Sequence, residues 1–328
     1  MGAAVASLLS AHSLRPCLSF GPPSGQRVLS VVKVFRMSLP AKRELQAKNF
    51  QGRAILLHYA EGPPNGPPLV LLHGITRDSS SFSVLFPDLV PRFHIFALDL
   101  RGHGGSGRVK NGYSVLDMAE DVREFVRAQI RAPAAIFGHS LGAMVGMCAA
   151  ADRVNVSALI VGDAMITPSN LSTLYDPIFS QLYQLLLACH SVEELARGMG
   201  RIQIHLPGIR EVIHLDEIPG NTQNNLLAWA RAAIRTDPDC LRMTVDRTAH
   251  ADWNPEKILP RITCPVLLLQ ANPELDGLLS DHDLALAKRL LPRATHVSFP
   301  SLGHALFLQQ ARPVVDAVIP FLTQVSKQ

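Results

Sequence analysis

The feature that most constrains this chain is five residues long. Gly138-His139-Ser140-Leu141-Gly142 stands between an apolar run that reads as a strand, Ala134 to Phe137, and a stretch with helical spacing, Leu141 to Ala151. A chain that passes from strand to helix in so few residues must turn sharply. The turn strains the backbone of the central residue and crowds the positions two before and two after it, so both need the missing Cβ of glycine. What it gains is a hydroxyl exposed at a helix N-terminus, where the helix dipole and the free N–H of Leu141 favour negative charge. Ser140 is thus the candidate nucleophile and Leu141 a candidate oxyanion donor, with Gly138 and Gly142 shaping the elbow. A tight packing turn would account for the glycines but not for the serine between them.

The same region bears on membranes. Ala132 to Ala151 carries no Asp, Glu, Lys or Arg and is long enough to span a bilayer. With Gly138, His139, Ser140 and Gly142 in its interior, it suits a buried strand, a turn and a buried helix better than a lipid-facing helix, and no stable membrane insertion is expected.

Short apolar runs recur along the chain. Leu69 to Leu72, His94 to Leu98, Ala134 to Phe137, Ala158 to Val161, Val266 to Gln270 and Thr295 to Phe299 read as buried strands. Asp117 to Arg131, Leu141 to Ala151, Leu284 to Leu291 and Val314 to Val325 have helical spacing. This alternation predicts an α/β fold, a mainly parallel sheet with helices on both faces and ligands bound at the carboxyl ends of its strands. Residues 164–255 break the rhythm: rich in helix formers and carrying Tyr175, Tyr183, Trp229 and Trp253, they are too long for a plain connection. They read as a helical cap inserted into a core of residues 50–163 and 256–328.

A second oxyanion donor is expected from Leu69-Val-Leu-Leu-His73-Gly74-Ile75, where Gly74 lets the chain turn back and Ile75 offers its N–H. His73, at a strand end, reads as a structural hydrogen-bonder rather than a base.

Strand-His73-Gly74, Asp99-Leu-Arg101-Gly102-His103-Gly104-Gly105-Ser106, Gly138-His-Ser-Leu-Gly142 and Gly303-His304, in that order, resemble the α/β-hydrolase family over about residues 50 to 325. The resemblance implies a mostly parallel eight-stranded sheet, a Ser-acid-His triad and an inserted helical cap. It also makes Arg101 and His103 loop-ordering groups. His304, following the last strand in a Gly-His pair, takes the part of the base. The acid is left open. Asp163, directly after Ala158-Leu-Ile-Val-Gly162, and Glu274, in Gln270-Ala-Asn272-Pro273-Glu274, are equal candidates, and Asp276 stands behind them. Serine rather than aspartate at the elbow sets the chain apart from the dehalogenase and epoxide-hydrolase branches. It points to the esterase, lactonase and carbon–carbon bond hydrolase-like branch.

The implied activity is cleavage of an ester, lactone or related carbonyl bond through an acyl-enzyme on Ser140, with no metal or organic cofactor. The expected partners are water and a small, largely apolar substrate. The rival reading keeps the fold as a receptor-like binder of a ligand, with little turnover. Of the 328 residues, 47% are apolar and 18% charged, which suits a globular protein. The net charge of +4 owes much to six Lys or Arg and no acid in residues 1–43, a weak basis for nucleic-acid binding, and none is expected. Residues 1–36 read as an organellar transit peptide or as an extension upstream of Met37. Five scattered cysteines, without a C-x-x-C pair, read as reduced thiols. The expected location is therefore cytoplasmic, or organellar if the leader is a transit peptide.

Overall fold

The computed structural model describes residues 45–152, 155–167, 175–204, 212–218 and 221–327. The expected leader over residues 1–36, Met37, Cys17 and His205 lie outside the described residues.

The strands are Gln46–Gln51 (β1), Leu56–Glu61 (β2), Pro68–Leu72 (β3), His94–Leu98 (β4), Ala134–His139 (β5), Val156–Gly162 (β6), Gln203–Ile204 (β7), Ile213–His214 (β8), Val266–Ala271 (β9) and Thr295–Phe299 (β10). The helices are Phe86–Leu89 (α1), Val115–Gln129 (α2), Leu141–Ala150 (α3), Tyr175–Ala188 (α4), Val192–Gly200 (α5), Gln223–Ala233 (α6), Pro238–Val245 (α7), Pro255–Ile258 (α8), Asp281–Leu290 (α9) and Ala311–Val325 (α10).

Eight strands form one sheet in the order β1-β2-β4-β3-β5-β6-β9-β10. β1 and β2 pair antiparallel, as do β2 and β4, and every other neighbour pair is parallel. All six expected strands are present, but β10, expected to be buried, lies at the sheet edge with only Phe299 fully buried, because no strand among the described residues covers its outer side. β2 falls on the strand pattern around His58, whereas β1 is not expected from the sequence. β1 reads Gln-Ala-Lys-Asn-Phe-Gln and is exposed over most of its length, so no apolar period announces an edge strand made by pairing alone.

Alternate residues of the central strands enter two apolar layers, because successive side chains of a strand point to opposite faces. Val70, Leu72, Ile136 and Leu159 join the layer of α2 and α3, and Leu69, Leu71, Phe137 and Ile160 join that of α10. Both faces are therefore covered, which is why these strands are continuous apolar runs. The 20-residue uncharged stretch is β5, the elbow and α3, as expected. Among the described residues no helix is long and apolar enough to cross a membrane.

Two features place the site. β3 lies between β4 and β5, with Leu72 opposite Gly138, so the strand order reverses beside the carboxyl ends of β3 and β5. A crevice opens at such a reversal. Between β6 and β9 the described residues form α4 to α8 and the small antiparallel pair of β7 and β8. Trp253 joins the two ends of this helical insertion by donating its indole N–H to the carbonyl of Ile166 at 2.7 Å.

Candidate active site

β5 runs directly into α3 through Ser140, whose φ of 54° and ψ of −121° are unfavourable for any residue with a side chain. Such strain costs roughly 1–3 kcal/mol and persists only where its surroundings enforce it. Here the Ser140 amide donates to the Gly162 carbonyl of β6 at 2.9 Å, and α3 begins immediately. A Cβ on Gly138 would overlap the Gly142 carbonyl, and one on Gly142 would overlap the Leu72 carbonyl of β3. Backbone meets backbone at both glycines, so neither neighbour can give way. Leu141, first in its helix, has no preceding turn to accept its N–H.

His304 follows β10 and meets Asp163: Nδ1 lies 2.7 Å from the Asp163 Oδ2. Asp163 is fully buried at the end of β6, with φ at 41°. Its Oδ1 accepts the amides of Ala271 at 3.1 Å and Leu279 at 3.2 Å, and its Oδ2 also accepts that of Leu278 at 2.8 Å. Burial works to raise this carboxyl. The His304 hydrogen bond, the imidazole beside it and the amides outweigh that and hold it below the usual carboxylate range. A carboxylate can only accept, so Nδ1 of His304 carries the proton of this bond.

The other two carboxylates stand elsewhere. Glu274 is exposed, in a turn where its amide donates to Asn272 Oδ1 at 2.9 Å. Asp276 is nearer, but its Oδ1 accepts the His304 backbone amide at 2.6 Å, and burial raises its carboxyl. It fixes the loop that carries the imidazole rather than the ring itself. Tyr175 of α4 donates its hydroxyl to the Asp276 carbonyl at 2.8 Å and stands edge-on to the His304 ring.

Both nitrogens of His73 are occupied. Nδ1 lies 2.8 Å from the Gly74 carbonyl, and Nε2 accepts the Leu100 amide at 2.9 Å. In the loop after β4, Arg101 grips Asp121 of α2 through Nε and Nη2, each at 2.6 Å, and His103 Nδ1 donates to the Arg101 carbonyl at 2.9 Å. Asp99 accepts the amides of Ser79 and Gly105, each at 2.8 Å. These bonds order the loops behind the site.

Ser140, His304, Gly74 and Ile75 line a cavity that opens to solvent and is bounded on the insertion side by residues such as Tyr175, Phe179 and Trp229. A smaller chamber shares Ile75, Ser140 and Phe179 and is otherwise lined by Leu141, Met144, Met165, Thr244, His250 and Leu278. His139, the variable residue of the motif, donates Nε2–H to the His304 carbonyl at 2.8 Å. Burial and the neighbouring His304 lower it to about 3, so it stays neutral. The contacts of His139, Arg77 and Trp229 join segments far apart along the chain, so no local pattern announces them. Among the described residues no group of three or more His, Cys, Asp or Glu side chains could hold a metal ion.

A profile of the family described as "alpha/beta hydrolase fold" matches residues 67–311. Over 87 residues, 26% of this chain, it is 41% identical to a 2-(acetamidomethylene)succinate hydrolase of Mesorhizobium japonicum, of which the match spans only 31%. Over 237 residues it is 29% identical to a magnesium-chelatase 30 kDa subunit of Rhodobacter capsulatus, spanning 71% of this chain and 79% of that one. The crystal structure of an E-2-(acetamidomethylene)succinate hydrolase superposes with a TM-score of 0.68 at 22% identity, covering 85% of this chain and 99% of that one. At that identity the likeness is one of fold.

Proposed function

The chain belongs to the α/β-hydrolase family, and from that premise we propose that it is a serine hydrolase cleaving an ester, lactone or related carbonyl bond through an acyl-enzyme on Ser140. One observation carries the reading: the 2.7 Å contact between His304 Nδ1 and a fully buried, ionised Asp163, at the wall of the cavity that Ser140 lines.

In this reading Ser140 Oγ attacks the carbonyl carbon as His304 Nε2 takes its proton. The amides of Leu141 and Ile75 receive the developing oxyanion, each donor being worth about a hundredfold or more in rate. His304 then returns the proton to the leaving atom as the scissile bond breaks. Water, deprotonated by the same Nε2, cleaves the acyl-enzyme and restores the serine. Asp163 holds the imidazole in the tautomer that makes Nε2 basic and stabilises the imidazolium. The helical insertion acts as a cap, and its Ile178, Phe179, Leu215 and Ile218 give the cavity an apolar lining suited to a largely apolar substrate.

The test is labelling with a fluorophosphonate together with turnover of p-nitrophenyl acetate. Wild-type protein becomes labelled at Ser140 and releases p-nitrophenol, and Ser140→Ala and His304→Ala each remove the turnover. An intact protein that neither takes the label nor hydrolyses the ester would overturn the proposal and favour a ligand-binding role.

A further inference from the structure

The mostly apolar cavity contains one cation that the mechanism does not use. Arg77, two residues beyond Gly74-Ile75, lines the same cavity as Ser140 and His304. Among the described residues no carboxylate lies within ion-pair distance of its guanidinium. The adjacent carboxylate, Asp78, is engaged elsewhere, by Arg235 at 3.3 Å and by the Ser80 amide at 3.0 Å.

The guanidinium is nevertheless held. Its Cζ lies over the ring of Trp229 of α6, 4.5 Å from the ring centroid. That ring is fixed in turn, since Trp229 donates its indole N–H to Thr76 Oγ1 at 2.9 Å, and Thr76 donates to the Ile75 carbonyl at 2.7 Å. A guanidinium held over a ring face can still present N–H groups to a carboxylate, which it grips through two parallel bonds. Burial lowers Arg77 to about 10, and the charge of the neighbouring Asp78 offsets that only in part.

Which end of a substrate meets Arg77 follows from the proton. The leaving atom must lie beside His304, and His304 lines the cavity that holds Arg77 but not the smaller chamber beside Leu141. The smaller chamber therefore takes the acyl group. Resting on the serine-hydrolase reading above, we propose that Arg77 recognises a carboxylate carried on the leaving group of the substrate, whose acyl part is small.

The experiment compares 4-carboxyphenyl acetate with its neutral counterpart 4-carbamoylphenyl acetate, each kcat/KM divided by the ester's spontaneous hydrolysis rate. The wild type should favour the anionic ester by about tenfold to a hundredfold, the range of hydrogen bonds to a charged group. That preference should collapse toward unity in Arg77→Met and return in part in Arg77→Lys, with thermal melts checking that each variant is folded. The product 4-hydroxybenzoate should also bind wild type in calorimetric titration more tightly than 4-hydroxybenzamide, and Arg77→Met should erase the difference. A wild type indifferent to the charge, or an Arg77→Met that slows both esters in the same proportion, overturns the inference. If instead Ser140 takes no fluorophosphonate and neither ester turns over, the hydrolase reading fails, and the titration alone judges Arg77.

Discussion

Replacing Asp163 by asparagine tests the most consequential contact in the site. The carboxylate has two jobs: Oδ1 accepts the Ala271 and Leu279 amides, while Oδ2 accepts Leu278 and His304 Nδ1. An asparagine can set its carbonyl on only one of these positions. With the carbonyl on the Oδ1 side, its NH₂ faces the Leu278 amide and the imidazole, donor against donor. The ring then moves its proton to Nε2, where under the proposed mechanism it could no longer take the Ser140 proton, and kcat should fall by about ten-thousandfold. The stranded Leu278 amide costs a further 1–3 kcal/mol, roughly, of stability. The assay is kcat for p-nitrophenyl acetate beside a urea melt, with Glu274→Gln as comparison. Glu274 is exposed and apart from the imidazole, so its substitution should leave both within experimental scatter. Asp163→Asn keeping wild-type kcat, or Glu274→Gln abolishing it, would refute the reasoning.

Other consequences can be measured on the same protein. Gly142→Ala drives a methyl group into the Leu72 carbonyl and should destabilise the fold by about 3 kcal/mol or more, read from the urea midpoint. Asp121→Asn removes the carboxylate that Arg101 grips at two points, in a place where both side chains are buried, and should cost about 3 kcal/mol in the same melt. Burial takes His103 down to about 3 and His250 down to about 4, whereas an unfolded histidine protonates near 6.5. Because both native values are lowered, this stability is intact above about pH 6.5. It is lost as pH falls toward the native values, by about 1.4 kcal/mol per pH unit for each histidine. A urea midpoint that stays flat from pH 6.5 to 4.5 would contradict it.

Much of the frame could be read from local pattern. Five strands announced themselves as apolar runs because both faces of the sheet are covered there, whereas the edge strand β10 is only partly buried and the exposed β1 is made a strand by its partner rather than by its composition. The helical insertion was visible as a segment too long and too helix-forming for a connection. Its effect on the cavity was not, since Tyr175 and Trp229 reach their partners Asp276 and Thr76 only across the fold.

What the sequence by itself determined is the elbow. Its glycines, its serine and the strand and helix that flank it are neighbours along the chain, and backbone sterics acting over five residues leave little choice. The tertiary structure decided which carboxylate meets His304. Asp163 and Glu274 were equal by spacing. The pairing of β6 with β9 brings Asp163 under the amides of Ala271, Leu278 and Leu279, and leaves Glu274 in an exposed turn. A buried carboxylate stays ionised only where donors from distant segments converge on it, and that convergence is a property of the sheet register, not of local order in the chain.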